Sequence, residues 1–333
     1  MGIITYSVEK LKHTKKHSMS ELNYEKVFNV LVQKTKDYIV KNNLKSMVLG
    51  ISGGIDSTVV AAICHEVSKR TGIPLVGRSL PIKNKKDEFD VSKLVGEAFC
   101  NDFKVWELSH VYKAALLECC LETGEANASN SYWIDELEEM PSRTPIANGN
   151  LQARCRMMYL YDLAGLKQGL VMSTDNQTEY QLGFWTIHGD VGDFDPIQDL
   201  WKTEVYELAK WLEYKYGHDS VTASTADEST FNIQAMKAMQ ASAALTPTDG
   251  LGISNSDLDQ IGAKSYAEVD DILQTLIPIC KWRPELGTIQ MNLDRLYDKY
   301  GQEVVDKVWN RHTASEFKRK KSPIYIEREE YAS

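Results

Sequence analysis

Met47-Val48-Leu49-Gly50-Ile51-Ser52-Gly53-Gly54-Ile55-Asp56-Ser57 decides the fold. The run Met47–Ile51 is short and apolar, which reads as a buried strand. Thr58 to Arg70 then follows a helical pattern. Strand, Gly-rich turn and helix together form an arrangement that binds phosphate. Gly53 and Gly54 let the backbone approach an anion closely and point N–H groups at it. The helix that starts near Ser57 adds its positive N-terminal end. Ser52 and Ser57 can donate hydroxyl hydrogen bonds, and Asp56 can hold a metal ion beside the phosphates. The Lys-Ser/Thr pair that would make this a Walker A loop is missing.

Outward from this loop, β and α patterns alternate. The spacing predicts strands at 46–51, 73–80, 103–108 and 169–173. Helices are expected at 57–70, 87–99, 110–121, 147–167 and 202–216, after an amphipathic helix at 22–43 with Val27, Val30, Leu31 and Tyr38 on one side. Such alternation calls for an α/β fold, a parallel sheet with helices on both faces. Ligands of these sheets bind beyond the C-terminal ends of the strands. The glycine loop, Arg78–Pro81 and Thr174–Glu179 all fall there. Two stretches break the pattern. Residues 122–145 are acidic and polar and read as a surface excursion. Residues 217–256 are weakly patterned and read as a lid with a short helix near Ile233–Ala244.

The chain has 333 residues, 43% hydrophobic and 26% charged, enough for a sizeable core. A net charge of −9 disfavours nucleic acid as a partner. No apolar stretch reaches the roughly 20 residues of a membrane span, and an apolar signal-peptide core is missing. Lys10 to His17 reads as a solvated tail. The six cysteines, Cys64, Cys100, Cys119, Cys120, Cys155 and Cys280, form no Cys-x-x-Cys pair. A zinc site or redox pair is therefore not expected, and a reducing cytoplasm is. Cys64 and Cys155 fall on helical patterns as small core residues.

Further motifs follow the loop: Gly77-Arg78-Ser79-Leu80-Pro81, Asn150-Leu151-Gln152-Ala153-Arg154, Ser173-Thr174-Asp175-Asn176-Gln177-Thr178-Glu179 and Gly183-Phe184-Trp185-Thr186-Ile187-His188-Gly189-Asp190. Leu200-Trp201-Lys202, Ser224-Thr225-Ala226-Asp227 and Phe317-Lys318-Arg319 come later. The loop resembles that of the PP-loop ATP pyrophosphatases, which split ATP between its α and β phosphates. The whole set, over roughly residues 25–323, resembles the NAD synthetase family in its shorter, ammonia-using form. About 24 residues precede the matching region, too few for the glutaminase domain that other members carry. A terminal tail is expected at 324–333.

The resemblance implies an adenine-nucleotide α-hydrolase-like, Rossmann-like three-layer fold and a homodimer with the dinucleotide site across its interface. It implies ATP-dependent amidation of deamido-NAD by ammonia through an acyl-adenylate, with Mg²⁺ as cofactor and ATP as co-substrate. Gly50, Ser52, Gly53, Gly54, Asp56 and Ser57 would hold the leaving pyrophosphate. Asp56 and Glu179 match magnesium ligands, although Glu179 also suits a helix N-terminus. Arg78, Arg154 and Thr174 match ATP-contacting positions. Lys202 and Thr225 match residues that meet the phosphates. Asp190 matches the carboxylate that accepts the ammonia proton, which makes Asp190, Lys202 and Asp56 the implied catalytic set. Tyr161, Phe184, His188 and Asp193 match positions at the deamido-NAD site. Aromatics at such positions are core residues as often, and His188 can equally be structural. The family usually carries a lysine where Ile187 stands, and the segment from Asp190 to Pro196 is one residue shorter. These departures touch the substrate side more than the ATP side. They keep open another PP-loop amidating ligase, or a catalytically silent nucleotide-binding homologue.

Overall fold

A computed structural model describes residues 22–246, 256–282 and 286–319. Strands β1 (Met47–Gly50), β2 (Leu75–Ser79), β3 (Asp102–Val105) and β4 (Leu170–Val171) form one parallel sheet in the order β3-β2-β1-β4. Met47 lies opposite both Leu75 and Leu170. The chain moves outward from β1 to β3, then returns to the other side of β1 with β4. Sheet order therefore reverses at β1, where a crevice opens beyond the strand ends. A bridge from Met172 to Phe194 continues the parallel pairing past β4.

Strand alternation divides the core into two layers. Met47, Leu49, Leu75 and Leu170 enter one cluster, with helices α1 (Tyr24–Lys41), α2 (Ile55–Thr71) and α3 (Lys86–Phe99). Val48, Val76 and Val171 enter the other, with α4 (Ser109–Glu122) and α6 (Pro145–Leu166). The expected α/β class and the four strands are thus present. A third cluster lies outside the sheet. It joins Leu182 of α7 (Gln177–Leu182) to α10 (Asp257–Ile261), α11 (Tyr266–Trp282), α12 (Leu286–Tyr300) and α13 (Gln302–Ala314).

Three expectations are corrected. The buried face of α1 carries Phe28, Val32, Thr35 and Ile39, while Val30 and Tyr38 are 46% and 41% exposed. The larger Phe28 and Ile39 set the inward direction, and β-branched Val30 faces water. The segment read as a weakly patterned lid is two packed helices up to residue 246. Helix α8 (Lys202–Thr222) runs six residues past its expected end, and α9 (Ala226–Ala244) begins with Thr225 as its cap. The buried face of α9 holds Asn232, Ala235, Ala238, Met239 and Ser242, all but Met239 small or polar residues that leave little hydrophobic signal. Residues 247–255 of that expected lid lie outside the described residues, as do the expected tails except 22–24. The 122–145 stretch is not wholly a surface excursion. Its helix α5 (Ile134–Glu138) buries Leu137 completely, and Tyr112 donates to Glu138 Oε1 at 2.7 Å. Among the described residues, no helix is long and apolar enough to cross a membrane.

Candidate active site

A cavity of about 720 Å³ opens beyond the carboxyl ends of β1, β2 and β4. Gly50, Ser52, Gly54 and Asp56 line it from the loop after β1, with Arg78, Thr174, Glu179, Asp190 and Lys202. Gly53 turns the loop with a φ of +89°. A Cβ there would come within 2.9 Å of the Glu88 carbonyl and the Ser92 amide, so conformation and space both demand glycine. Ser57 Oγ donates to the Gly54 carbonyl at 2.9 Å and lies 3.0 Å from Ser52 Oγ, which accepts from the Gly54 amide at 3.2 Å. The two hydroxyls thus shape the turn. Gly54 caps α2 without any side-chain bond, which leaves the first-turn amides of α2 suited to an anion.

Three elements bring charge to the cavity floor. Asp56 comes from the first turn of α2, Glu179 from α7 and Lys202 from the first residue of α8. Lys202 Nζ donates to Asp56 Oδ2 at 2.5 Å and to Glu179 Oε1 at 2.9 Å. Asn176 Nδ2 donates to Asp56 Oδ1 at 2.9 Å, and the Asn176 amide reaches Glu179 Oε2 at 3.3 Å. Burial opposes the charge on Lys202, but Asp56 and Glu179 outweigh it and hold the ammonium protonated well above the ordinary lysine range. A lysine at a helix start also opposes the helix dipole. Asp270 of α11 offsets this by accepting from the Thr203 amide at 3.0 Å and from Thr178 Oγ1, which in turn accepts the Lys202 amide at 2.9 Å.

The donor set fits magnesium. Asp56 and Glu179 are hard oxygen ligands that already share one cation, and Mg²⁺ is typically held by one or two carboxylates plus substrate phosphates and water. Among the described residues, no group of three or more His, Cys, Asp and Glu is arranged to hold a metal by protein ligands alone.

Behind the β4 end stands a cluster of acids. Asp190 Oδ1 accepts from the Thr186 amide at 2.7 Å. Its side chain is open to the cavity, yet loss of water around it pushes its carboxyl up to about 6, against the hydrogen bond from Thr186. Cavity water moderates that shift until a substrate displaces it. Asp175, which accepts from Ser173 Oγ at 2.7 Å, is pushed well above the carboxylate range by burial and then by Asp190 and Asp195. Asp195 Oδ1 accepts from the Ile197 amide at 3.0 Å, while buried Oδ2 has no hydrogen-bond partner among the described residues. Burial raises Asp195 from 3.8 to about 7. The folded chain therefore keeps a proton that the unfolded chain has lost between these values. The resulting stability is full below about pH 4 and is lost as pH rises through 7. Asp195→Asn is expected to remove this slope and to raise the thermal midpoint at alkaline pH, by roughly 2–4 kcal/mol of stability. Unfolding curves of both proteins across pH check it; parallel profiles would reject it.

The sequence-selected residues separate into two groups. Gly50, Ser52, Gly54, Asp56, Arg78, Thr174, Glu179, Asp190 and Lys202 meet at the cavity, with Gly53 and Ser57 just behind it. The Arg78 side chain does not reach for a phosphate. It is 3% exposed, forms a double hydrogen bond with Asp102 at 3.2 and 3.1 Å, and donates to the Asp102 carbonyl. Thr225 caps α9 through the Glu228 amide and lies outside the cavity wall, as do Arg154, Tyr161, Phe184, His188 and Asp193. Four of these make a second patch. Arg154 donates to the Ile187 carbonyl at 3.2 Å, Tyr161 donates to Asp193 Oδ1 at 3.0 Å, and Asp193 Oδ2 accepts the Val171 amide. His188 is exposed in a left-handed turn, φ 55°, beside this patch. Phe184 packs under the Arg311 guanidinium, 4.3 Å from its ring, against the C-terminal helices.

Arg156, two residues beyond Arg154, had no role assigned to it by the sequence. Its Nε donates to the Leu80 carbonyl at 3.0 Å, and it lines the cavity with Gly149, Gln152, Ala153 and Met157. Residues two apart on a helix point roughly 200° apart. Only one of Arg154 and Arg156 can therefore face the cavity, and the spacing from Gly149 and Gln152 selects Arg156. Lys318 was quoted only as part of a motif. It donates to the Gly183 carbonyl at 2.7 Å and to the Trp185 carbonyl, and so secures the turn that leads to Asp190.

A parallel sheet reversing at β1, with a Gly-Gly loop, two metal-capable carboxylates and a buried lysine at its carboxyl edge, fits the PP-loop class that the sequence resembles. Comparison with known proteins narrows the class. The family described as NAD synthase matches residues 27–322, so the chain belongs to that family and is a ligase. It is 33% identical over 254 residues to the NH(3)-dependent NAD(+) synthetase of Finegoldia magna, covering 76% of this chain and 85% of the relative. Identity to the NH(3)-dependent NAD(+) synthetase of Campylobacter jejuni is 29% over 259 residues, 77% of this chain and 90% of the relative. The solved structure of an NMN synthetase from Francisella tularensis superposes with a TM-score of 0.65 at 22% identity, over 92% of this chain and 100% of that one.

Proposed function

We propose that the chain amidates deamido-NAD with ammonia, consuming ATP and releasing NAD⁺, AMP and pyrophosphate. The observation that carries this reading is the meeting of Asp56, Glu179 and Lys202, from three separate helices, beside the glycine loop and in one cavity with Asp190. A carboxylate does not react with ammonia directly, because oxide would have to leave. The nicotinate oxygen first attacks the α-phosphorus of ATP, and pyrophosphate departs toward the loop amides and Lys202. Ammonia then attacks the acyl-adenylate carbonyl, Asp190 accepts its proton, and AMP leaves. Asp56 and Glu179 would hold Mg²⁺, which when bound supplies charge neutralisation on the polyphosphate.

The test is an assay with ATP, Mg²⁺, ammonium and deamido-NAD that follows NAD⁺ and AMP together. Equal formation of both supports the reading. ATP binding without NAD⁺ at any ammonium level rejects it. A second reading rests on Ile187 and the shortened Asp190–Pro196 segment, where substrate contacts are expected. Since the Francisella tularensis neighbour is an NMN synthetase, the corresponding mononucleotide acid belongs in the same assay, and the ratio of the two turnovers decides between them.

The homodimer is part of the same proposal. On α6, Met158 and Tyr161 are 59% and 42% exposed on the side of the helix that carries Arg154, beside the Arg154–Asp193 patch. Sedimentation is expected to show a dimer; a monomer at all concentrations would exclude a site shared across two copies. The free cysteines among the described residues support a reducing compartment, and we place the chain in the cytoplasm.

A further inference from the structure

Resting on the reading just given, we propose that Lys202 occupies the cation position between Asp56 and Glu179 until a polyphosphate draws it away. The metal would then enter with the nucleotide and not before it.

All four carboxylate oxygens of the pair accept a bond from the chain itself. Lys202 Nζ takes one oxygen from each acid, at 2.5 and 2.9 Å. The Asn176 side chain and amide take the other two, at 2.9 and 3.3 Å. A divalent ion sits about 2.1 Å from such oxygens. It cannot share their inner side with an ammonium already in contact with both. Lys202 is also 2% exposed, so water does not compete for it, and the ring of Tyr266 lies 5.5 Å from its Nζ on another side.

Charge gives the arrangement a direction. Two carboxylates and one ammonium leave a net single negative charge, which a metal ion alone can neutralise only by displacing the lysine from both acids it touches, while the nearby Asp270 is already engaged by Thr178 and Thr203. A triphosphate supplies the lysine with another anion. Lysine is a point charge on a flexible four-carbon stem, and a swing of that stem transfers it from carboxylate to phosphate without moving α8. The empty enzyme is thereby kept from closing its carboxylates around a metal, and Lys202 becomes available to the leaving pyrophosphate only when ATP has arrived. The residue acts on metal entry by position.

The experiment titrates the full chain with Mn²⁺, free of nucleotide, and reads the unbound ion by its paramagnetic resonance signal. Lys202→Met keeps the stem and removes the charge. It is expected to bind Mn²⁺ at least about tenfold more tightly than the unaltered chain, since one competing ion contact is enough for that factor. Equal affinity, whether weak or tight, overturns the proposal.

Should Lys202→Met fail to fold, thermal unfolding of the unaltered chain decides. Mn²⁺ alone is expected to leave the midpoint in place, and Mn²⁺ with α,β-methylene-ATP to raise it above the analogue alone. A rise with Mn²⁺ alone as large as that with both overturns the proposal. If the analogue never shifts the midpoint, the nucleotide reading of the cavity fails, while the Mn²⁺ comparison still reports on Lys202.

Discussion

Asp56→Ala is expected to lower formation of NAD⁺ and AMP about a thousandfold or more, because one substitution reaches both the loop and the carboxylate pair. The side chain starts α2 and touches Asn176 and Lys202. Its loss removes half of the proposed metal ligands and frees Asn176, which caps α7 and orients Glu179. Lys202 would remain buried with one carboxylate instead of two. Complete loss of a buried ion partner costs about 3–5 kcal/mol; with Glu179 retained, roughly 2 kcal/mol of destabilisation is expected. Activity and stability separate with Asp56→Asn, which keeps the size of the side chain and accepts one bond but removes the charge. Both variants should lose the burst of AMP in a single turnover and both should melt earlier, the asparagine variant less so because its side-chain oxygen still offers Lys202 an acceptor. More than a tenth of normal turnover in either would mean that Asp56 neither binds the metal nor shapes the loop as inferred.

That the glycine loop, Asp56, Glu179 and Lys202 share one cavity follows from signals in the sequence, and the reason is physical. Gly53 has to be glycine in its backbone conformation and its contact with α3, so the loop advertises itself locally. Asp56 and Glu179 sit near helix starts that follow strand ends, where sequence pattern places ligand groups, while Lys202 opens α8 without a strand before it and stood out only through the family resemblance. What sequence could not show was their mutual neutralisation, because that depends on packing α8 against α7 and α11. Arg78 shows another part that stays hidden. It lines the cavity as its place at the end of β2 suggests, but Asp102, diagonally across on β3, holds its guanidinium, and cross-strand pairing has no local signature. The α9 face was missed for want of large apolar residues, and Leu137 because a lone buried leucine in an acidic stretch carries no periodicity. Arg154, Tyr161 and Asp193, expected at the substrate from the resemblance, make their bonds away from the cavity, a placement that depends on how α6 packs and has no local sign in the sequence.

Asp190→Asn carries the second large expectation, a fall of about a hundred- to a thousandfold in the step that uses ammonia, with adenylate formation largely retained. The carboxyl is pushed to about 6 by its surroundings, and only the ionised form can accept a proton from the attacking nitrogen. The unaltered enzyme should therefore lose rate as pH falls through about 6. Ammonia is already mostly protonated there, and its small free fraction keeps falling with pH, which would mask the effect if rates were plotted against total ammonium. Plotted against free ammonia, the nucleophile's own titration cancels and the remaining acid limb belongs to the enzyme. Bound substrate expels cavity water from around Asp190, so this limb should lie at or above 6 in the adenylate complex and never below the ordinary aspartate range. In Asp190→Asn the limb should vanish together with the rate, while pyrophosphate release from ATP and deamido-NAD continues in a first turnover. A limb that persists unchanged in the variant would assign the titration to another member of the acid cluster, with Asp195 at about 7 the first to examine.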